Sequence, residues 1–193
     1  MKKTLFACMA FATVFAVTSC QSDEEPTQEP MATTGTATRN GNIEVKWVQL
    51  WENGPKFAEY NIGATKVESY GEYYKWSENI ASEQWGSNWR LPTNAELQAL
   101  ISNCTVTWTN NYNGILGKIF TGKGDYKDNS VFLPAGGYSD KGEVILQGYL
   151  GTYWSSTPMD KDNTYTLDID EMGEGGFYAT RYNCYSVRAV LAE

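Results

Sequence analysis

The chain has 193 residues and a net charge of −8 at neutral pH, and it contains no histidine. An acidic chain with no basic stretch lacks the surface that binds a phosphate backbone, so we expect no nucleic-acid partner. The absence of histidine excludes Ser-His-Asp and Cys-His nucleophiles and zinc sites with histidine ligands. Seven Trp and thirteen Tyr residues supply apolar surface for a core or for ligand contacts.

The N-terminus has the layout of a lipoprotein signal peptide. Two lysines precede an apolar run at residues 5–17, which is too short to span a bilayer well. The run ends in Val-Thr-Ser-Cys, which resembles a bacterial lipobox, and an ordinary signal peptide with an incidental cysteine is the alternative. We predict a signal peptide over 1–19 and a lipid on Cys20, which would anchor the chain to a membrane without a transmembrane helix.

The segment after Cys20 is typical of a flexible tether. Residues 20–40 are rich in Pro, Thr, Gly and Ala, a composition that cannot bury a core. The acidic residues 23–25 resemble the export signal of Bacteroides-type lipoproteins. The resemblance implies a lipid-anchored protein of the outer membrane that faces the cell exterior, with the periplasmic side as the alternative. The folded domain is predicted over 41–193.

The domain is predicted to contain short strands and one helix. Thr93 and Glu96 have the spacing of a capping box, and Leu97, Leu100 and Ile101 follow at the spacing of a buried helical face. This pattern predicts a helix over about 94–102 on a mostly β body, which is an α+β fold. The segments 77–88 and 108–117 are predicted as loops. The main strand candidates are 44–51, 57–63, 70–76, 131–133, 153–156, 165–170, 177–182 and 186–191.

Six motifs occur in order along this domain. They are Asn-Ile-Gly-Ala at 61–64, Tyr-Gly-Glu-Tyr-Tyr-Lys-Trp at 70–76, Trp-Arg-Leu-Pro-Thr at 89–93 with Glu-Leu at 96–97, Phe-Leu-Pro-Ala-Gly-Gly-Tyr at 132–138, Gly-Thr-Tyr-Trp-Ser-Ser at 151–156 and Ser-Val-Arg-Ala-Val at 186–190. Together they resemble the Fibrobacter succinogenes major paralogous domain (FISUMP), which is common in surface lipoproteins of gut bacteria. The resemblance spans about residues 43–191. Ala189 departs from it, because the family usually has proline there.

The FISUMP family is similar, more distantly, to the C-type-lectin-like fold of formylglycine-generating enzymes. This resemblance implies a C-type-lectin-like domain with short twisted antiparallel strands and long irregular loops. Those enzymes hold copper with a cysteine pair near the end of the domain, whereas Cys184 stands alone there. Glycosidases need two facing carboxylates, and no acidic pair is marked as such. We therefore predict a domain without enzymatic activity.

Two cysteines and one acidic segment remain to be assigned. In an oxidising compartment, Cys104 and Cys184 either form a disulfide or remain as two buried thiols. The acidic segment 160–170 hints at calcium, but Tyr165 occupies the position where an EF-hand needs glycine. We interpret it as a solvated hairpin turn and predict no metal site and no cofactor. Arg90 and Arg188 are predicted to serve hydrogen-bond networks of the fold.

Aromatic side chains in predicted loops are the candidates for ligand contacts, because they stack on sugar rings or anchor protein partners. We predict a surface lipoprotein with a non-catalytic, adhesin-like module for a glycan or a surface protein. The alternative is a structural subunit or tip component of a surface appendage, which would require an exposed sheet edge or a donor strand. The candidate ligand-binding residues are Trp85, Trp108, Tyr112, Tyr138 and Tyr149.

Overall fold

The computed structural model describes residues 32–192, in which strands account for 46% of the residues and helices for 12%. The predicted signal peptide, the lipidation site Cys20 and the first part of the predicted tether lie outside the described residues. The strands are β1 (Thr34–Arg39), β2 (Ile43–Val48), β3 (Phe57–Ala58), β4 (Tyr74–Lys75), β5 (Trp89–Arg90), β6 (Thr105–Tyr112), β7 (Ile115–Thr121), β8 (Ser130–Pro134), β9 (Tyr138–Asp140), β10 (Glu143–Ile145), β11 (Leu150–Pro158), β12 (Asn163–Asp170), β13 (Glu174–Thr180), β14 (Cys184–Tyr185) and β15 (Val190–Leu191). The helices are α1 (Ile80–Trp85) and α2 (Asn94–Asn103), with a single 3-10 turn at Gly124–Tyr126.

The strands form four small antiparallel sheets. Sheet A has the order β1-β2-β3-β15-β5, sheet B β10-β9-β14-β4, sheet C β6-β7-β8 and sheet D β11-β12-β13. In sheet A, β15 lies between β3 and β5, so the last strand is held by strands from the first half of the domain. Sheets C and D are simple meanders whose strands follow one another in sequence.

The α+β class predicted from the sequence is wrong, because the described residues form a mostly β domain with only two small helices. The predicted helix is present as α2, but it has ten residues and α1 has six, so neither forms a helical layer. The capping box is a strong local signal for a helix, whereas strands of two or three residues are too short to give a recognisable sequence pattern. The prediction of one helix on a mostly β body therefore located α2, but the α+β class gave that helix too much weight.

The tether predicted over 20–40 also needs correction at its C-terminal end. Residues 34–39 form β1, which pairs with β2 from Thr34 opposite Val48 to Arg39 opposite Ile43. The run Thr-Gly-Thr-Ala-Thr-Arg contains few large apolar residues, so its composition is that of a linker. Its strand conformation comes from pairing with β2, which is a tertiary effect.

Helix α2 begins with the capping box that the sequence predicted. The Thr93 hydroxyl accepts from the Glu96 backbone N–H at 3.1 Å, and the Glu96 carboxylate accepts from the Thr93 N–H at 2.7 Å. Arg90 donates to both oxygens of the same carboxylate at 2.7 and 2.8 Å, which confirms its structural role. Leu97 and Leu100 are fully buried against sheet D, and each stabilises the fold by about 1.5–3 kcal/mol.

Candidate functional site

The structure does not bring the five predicted ligand-binding residues together. Trp85 is the clearest failure, because it lies at the end of α1 with only 2% of its surface exposed. Its ring packs edge-on against Tyr60 and Trp89, with centroids 5.7 and 5.3 Å away. The prediction that Trp85 binds ligand is therefore wrong, since the segment predicted as a loop is a helix that buries this side chain.

Tyr138 is placed in β9 and packs against Tyr185 at a centroid distance of 5.7 Å. Tyr185 in turn packs edge-on against the buried Trp154 at 4.6 Å. Tyr138 is half-buried and packs against the apolar cluster that contains Trp154 and Tyr185. Its ring packs on the Tyr185 ring within sheet B, which leaves a ligand role without support from its position.

Trp108 and Tyr149 do lie together. They line one cavity of about 350 Å³ with Leu116, Gln147 and Glu171. Tyr149 is 75% exposed, whereas Trp108 is half-buried and its indole N–H donates to the Asn110 side chain at 2.7 Å. Trp108 is part of β6, so the segment 108–117 is a strand hairpin and the prediction of a loop there is wrong.

Tyr112 lies in a different cavity, of about 450 Å³, which we call the Tyr112 cleft. One wall is formed by β1 and β2 of sheet A, and the other by Tyr112 and the start of β8 in sheet C. Its volume is within the range of about 300–1,000 Å³ that is common for small-molecule sites. The lining residues are Thr34, Gly35, Thr36, Lys46, Trp47, Val48, Glu59, Val67, Tyr112, Asp128, Asn129, Ser130 and Phe132.

The Tyr112 ring is held flat by the ring beside it. Tyr112 stacks on Phe132 with the centroids 4.1 Å apart and the planes at 8°. Phe132 is buried and Tyr112 is half-buried, so Tyr112 is the accessible member of the pair. Gly117 makes room for this stack, because a Cβ atom there would lie 2.7 Å from the Phe132 ring and 2.3 Å from the Leu133 carbonyl oxygen. The cleft therefore presents an aromatic face in a fixed orientation.

Polar groups surround this aromatic face. The cleft is lined by the carboxylates of Glu59 and Asp128 and by the Lys46 ammonium group, and the hydroxyls of three Thr and Ser side chains belong to the same lining. Asn129 is fixed by its amide N–H, which donates to the Gln49 carbonyl at 2.8 Å. The set combines hydrogen-bond donors and acceptors around one apolar surface.

Arg188 ties the two walls of the cleft together from behind. Its guanidinium donates to the Glu59 carbonyl at 3.2 Å and to the Phe132 carbonyl at 2.9 Å, and these two residues line opposite walls. It also donates to the Asn61 side chain at 2.9 Å and the Ala58 carbonyl at 3.2 Å. The predicted structural role of Arg188 is therefore confirmed. Burial lowers its pKa to about 10, so it remains charged at neutral pH.

The two cysteines of the domain are free, so the disulfide between Cys104 and Cys184 is not formed. Cys104 is buried beside α2 in the apolar cluster that contains Leu97 and Leu100, and burial raises the pKa of its thiol to about 11. Cys184 lies in β14, opposite Lys75 and Ser139 of sheet B. The alternative of two separate thiols holds, although Cys184 is only half-buried.

The acidic segment 160–170 is organised by its own hydrogen bonds. Asp160 accepts from the backbone N–H groups of Asp162 and Asn163, both at 2.8 Å, and from the Asn163 amide. The Asn163 side chain and these N–H groups lower the Asp160 pKa. Residues 160–162 form an exposed turn that leads into β12, and β12 contains the rest of the segment. Among residues 32–192, no cluster of three or more His, Cys, Asp or Glu side chains is placed to hold a metal ion.

Comparison with known proteins gives one match. A family model described as a domain of unknown function, DUF8237, matches residues 109–190, which run from β6 to β15 and include Tyr112, Phe132 and Arg188. Neither the curated proteins nor the solved structures gave a match to this chain. In the part of the chain that the structure describes, the helices are too short and too polar to cross a membrane.

Proposed function

We propose that this chain is a surface lipoprotein whose folded domain binds a glycan in the Tyr112 cleft without chemical turnover. The observation that carries the proposal is the Tyr112 ring, fixed parallel to Phe132 inside a cleft with polar walls. The apolar face of a pyranose ring packs on a flat aromatic surface, and its hydroxyl groups pair with carboxylate, amide and hydroxyl side chains. Both requirements are met within one cavity.

The composition of the cleft favours a glycan over a protein ligand. Protein hot spots are aromatic or arginine anchors that enter well-packed pockets from which water is fully excluded. The Tyr112 cleft instead carries two carboxylates, an ammonium group, an amide and several hydroxyls around the half-buried rings of Tyr112 and Trp47. These groups would remain unpaired against an apolar anchor, whereas the hydroxyl groups of a sugar pair with them.

Anchoring and location complete the proposal. A lipid on Cys20 would hold the domain at the outer membrane, where a glycan-binding module facing the exterior meets its ligand. The Val-Thr-Ser-Cys sequence at residues 17–20, the acidic residues after it and the FISUMP-like motifs support this location. Metabolic labelling with a fatty acid, compared between the wild-type chain and a Cys20→Ala variant, tests the anchor. Incorporation that persists in the variant would contradict it.

The function is tested by screening the mature chain, from residue 20 onward with Cys20→Ser, on a broad glycan array in calcium and in chelator. We expect reproducible binding to a defined set of glycans, equal in both solutions, and recovery of the bound glycan uncleaved. Binding only in calcium would contradict the absence of a cofactor, and cleavage would contradict the absence of turnover. No binding to any glycan would contradict the proposal itself.

The alternative function, a structural subunit of a surface appendage, also has one observation in its favour. Strand β13 lies at the edge of sheet D and exposes aromatic side chains. An exposed edge of this kind is what an assembling subunit requires. The glycan proposal and the properties of this edge rest on different residues, so each can be tested without the other.

A further inference from the structure

Strand β13, Glu174–Thr180, has one side without a strand partner. It pairs with β12 along its whole length, from Asn163 opposite Thr180 to Ile169 opposite Glu174, with no bulge. Alternate backbone N–H and C=O groups of an edge strand point away from its neighbour. Among residues 32–192, no further strand pairs with this outer side. The edge is therefore a regular row of groups that can pair with another strand.

Two of the other edge strands, β1 and β6, carry features that interfere with pairing at the edge. On β1, the Thr38 carbonyl accepts from the Trp89 indole at 2.9 Å. On β6, the pairing shifts between Thr109 and Tyr112, and such irregularities disrupt edge pairing. Residues 175–180 of β13 are Gly-Gly-Phe-Tyr-Ala-Thr, with no charge and no proline. The usual devices that prevent association at an edge are absent from this strand.

The same edge exposes large aromatic side chains. Phe177 is 57% exposed and Tyr178 59%, and their side chains point to opposite faces of sheet D. Tyr182, two residues beyond the strand, is 78% exposed. A strand added at this edge would therefore find an exposed aromatic side chain on each face of the sheet.

We propose that β13 pairs antiparallel with β13 of a second copy of this chain, about a two-fold axis at Phe177. Phe177 is the central residue of the strand, so it faces its own counterpart. In this register Gly176 faces Tyr178 and Gly175 faces Ala179. Each of these pairs contains a glycine, so no two large side chains clash in them. Glu174 faces Thr180, so no like charges are directly opposed. The strand is complementary to itself.

The charges around the strand select this arrangement. Asp170 and Glu171 make one end of β13 acidic, and Glu174 at that end is paired with Lys118, while the other end carries Arg181 and Lys161 together with Asp160 and Asp162. An antiparallel pair places the two acidic ends at opposite sides of the interface, whereas a parallel pair would bring them together. In a chain with a net charge of −8, the uncharged residues 175–180 are the surface on which a second copy approaches with least repulsion.

The size of this interface predicts a weak dimer. The exposed fractions of Phe177, Tyr178 and Tyr182 correspond to about 600–1,000 Å² of aromatic surface from both copies. Stable interfaces bury about 1,200–2,000 Å² in total. The dimer should therefore form at high protein concentration and dissociate on dilution, and anchoring many copies in one membrane would favour it.

The proposal is tested by sedimentation of the mature chain, from residue 20 onward with Cys20→Ser, over a range of concentrations. We expect the mass to rise toward that of a dimer with increasing concentration. Phe177→Asp places two carboxylates opposite each other and should weaken the dimer about tenfold or more. Tyr149→Asp, at an exposed aromatic residue outside β13, should leave it unchanged. A monomer at every concentration, or a dimer that Phe177→Asp leaves intact, would overturn the proposal.

A second variant tests the register without relying on Phe177→Asp. A single Phe177→Cys substitution, in a Cys184→Ser background, should give a symmetric disulfide-linked dimer on mild oxidation, because residue 177 faces itself. Lys141→Cys, on an exposed turn remote from β13 in sequence, should not. Equal cross-linking of both variants would contradict the register. Phe177→Asp should leave glycan binding intact, since β13 contributes nothing to the Tyr112 cleft.

Discussion

The guanidinium group of Arg188 donates to the side-chain oxygen of Asn61 at 2.9 Å, although the two residues are 127 positions apart. Asn61 uses its amide N–H for the Tyr70 carbonyl at 2.8 Å, and the nearby Tyr153 hydroxyl donates to the Pro134 carbonyl at 2.6 Å. Five of the six motifs noted in the sequence contribute a residue named here to this buried network. Their order along the chain therefore has a structural reason, because together they join sheets A, C and D.

Arg188 is expected to be the most sensitive polar residue of the domain. Arg188→Met would leave the carbonyls of Ala58, Glu59 and Phe132 and the Asn61 oxygen without their donor. Loss of one partner from a buried charged network costs about 3–5 kcal/mol. Urea denaturation followed by tryptophan fluorescence measures the change in the free energy of unfolding.

Two further variants give the Arg188 measurement its controls. Arg188→Lys keeps the charge but lacks the planar fork of donors, so we expect a smaller but clear loss of stability. Lys66→Ala, at an exposed position, should change the free energy of unfolding by at most about 0.5 kcal/mol. A loss of less than about 1 kcal/mol in Arg188→Met would contradict the role of this network.

Stability should fall in acid partly because of Glu96. Burial raises the pKa of this carboxyl, but hydrogen bonds from Arg90 and Thr93 and the Arg90 charge outweigh that effect and hold the pKa below its usual value of 4.5. The stabilisation is therefore fully present above the unfolded-state pKa and is lost as the pH falls through the folded-state pKa. Glu96→Gln keeps a capping side chain but removes the charge. Wild type should be more stable than this variant at neutral pH, and the two should converge in acid. A constant difference across the pH range would count against the ion pair.

The two thiols should differ in reactivity. Cys104 is 4% exposed and burial raises its pKa to about 11, so alkylation in the folded state should be slow. Cys184 is half-buried and should react faster, and both should react fully in urea. Peptide mass spectrometry after timed treatment with iodoacetamide measures each site separately. A peptide pair joined through Cys104 and Cys184 would contradict the structure.

Removal of β1 should harm both stability and ligand binding. A chain that begins at residue 41 loses the strand that pairs with β2 and loses Thr34 and Thr36 from the cleft. We expect a lower thermal midpoint and weaker glycan binding than in a chain that begins at residue 32. Thermal denaturation of the two chains, compared at equal concentration, decides this. Equal midpoints would show that the tether extends to residue 40 after all.

Local signals in the sequence predicted the local features of the fold. The capping box located α2, and the turn signal after residue 51 indicated the pairing of β2 with β3. The hairpin of β6 and β7 was missed, although Asn113 and Gly114 both have positive φ angles, of 51° and 91°. Asn-Gly is the sequence typical of such a hairpin turn. The abundance of Asn and Gly around it instead suggested a loop.

Features that depend on contacts between residues far apart in the chain could not be predicted from the sequence. Tyr112 was a candidate because it is an aromatic residue in a predicted loop, and nothing in its neighbourhood indicates that Phe132 lies beneath it. Trp85 had the same kind of flanking sequence as Tyr149, yet one is buried and the other is exposed. The difference arises because α1 packs against sheet A. Helix α1 has only six residues, which are too few for hydrophobic periodicity to reveal a buried face. Neither the cleft nor the free edge of β13 leaves a local pattern.

The most direct test of the glycan proposal is the affinity of Tyr112 variants, measured by calorimetry with a glycan identified on the array. Tyr112→Ala should weaken binding about tenfold or more, because it removes the aromatic face. Tyr112→Phe keeps that face and should bind nearly as well as wild type, and Trp108→Ala, in the other cavity, should bind as wild type. If Tyr112→Ala binds as tightly as wild type while Trp108→Ala does not, the ligand occupies the cavity of Trp108 and Tyr149, and the Tyr112 cleft is not the site.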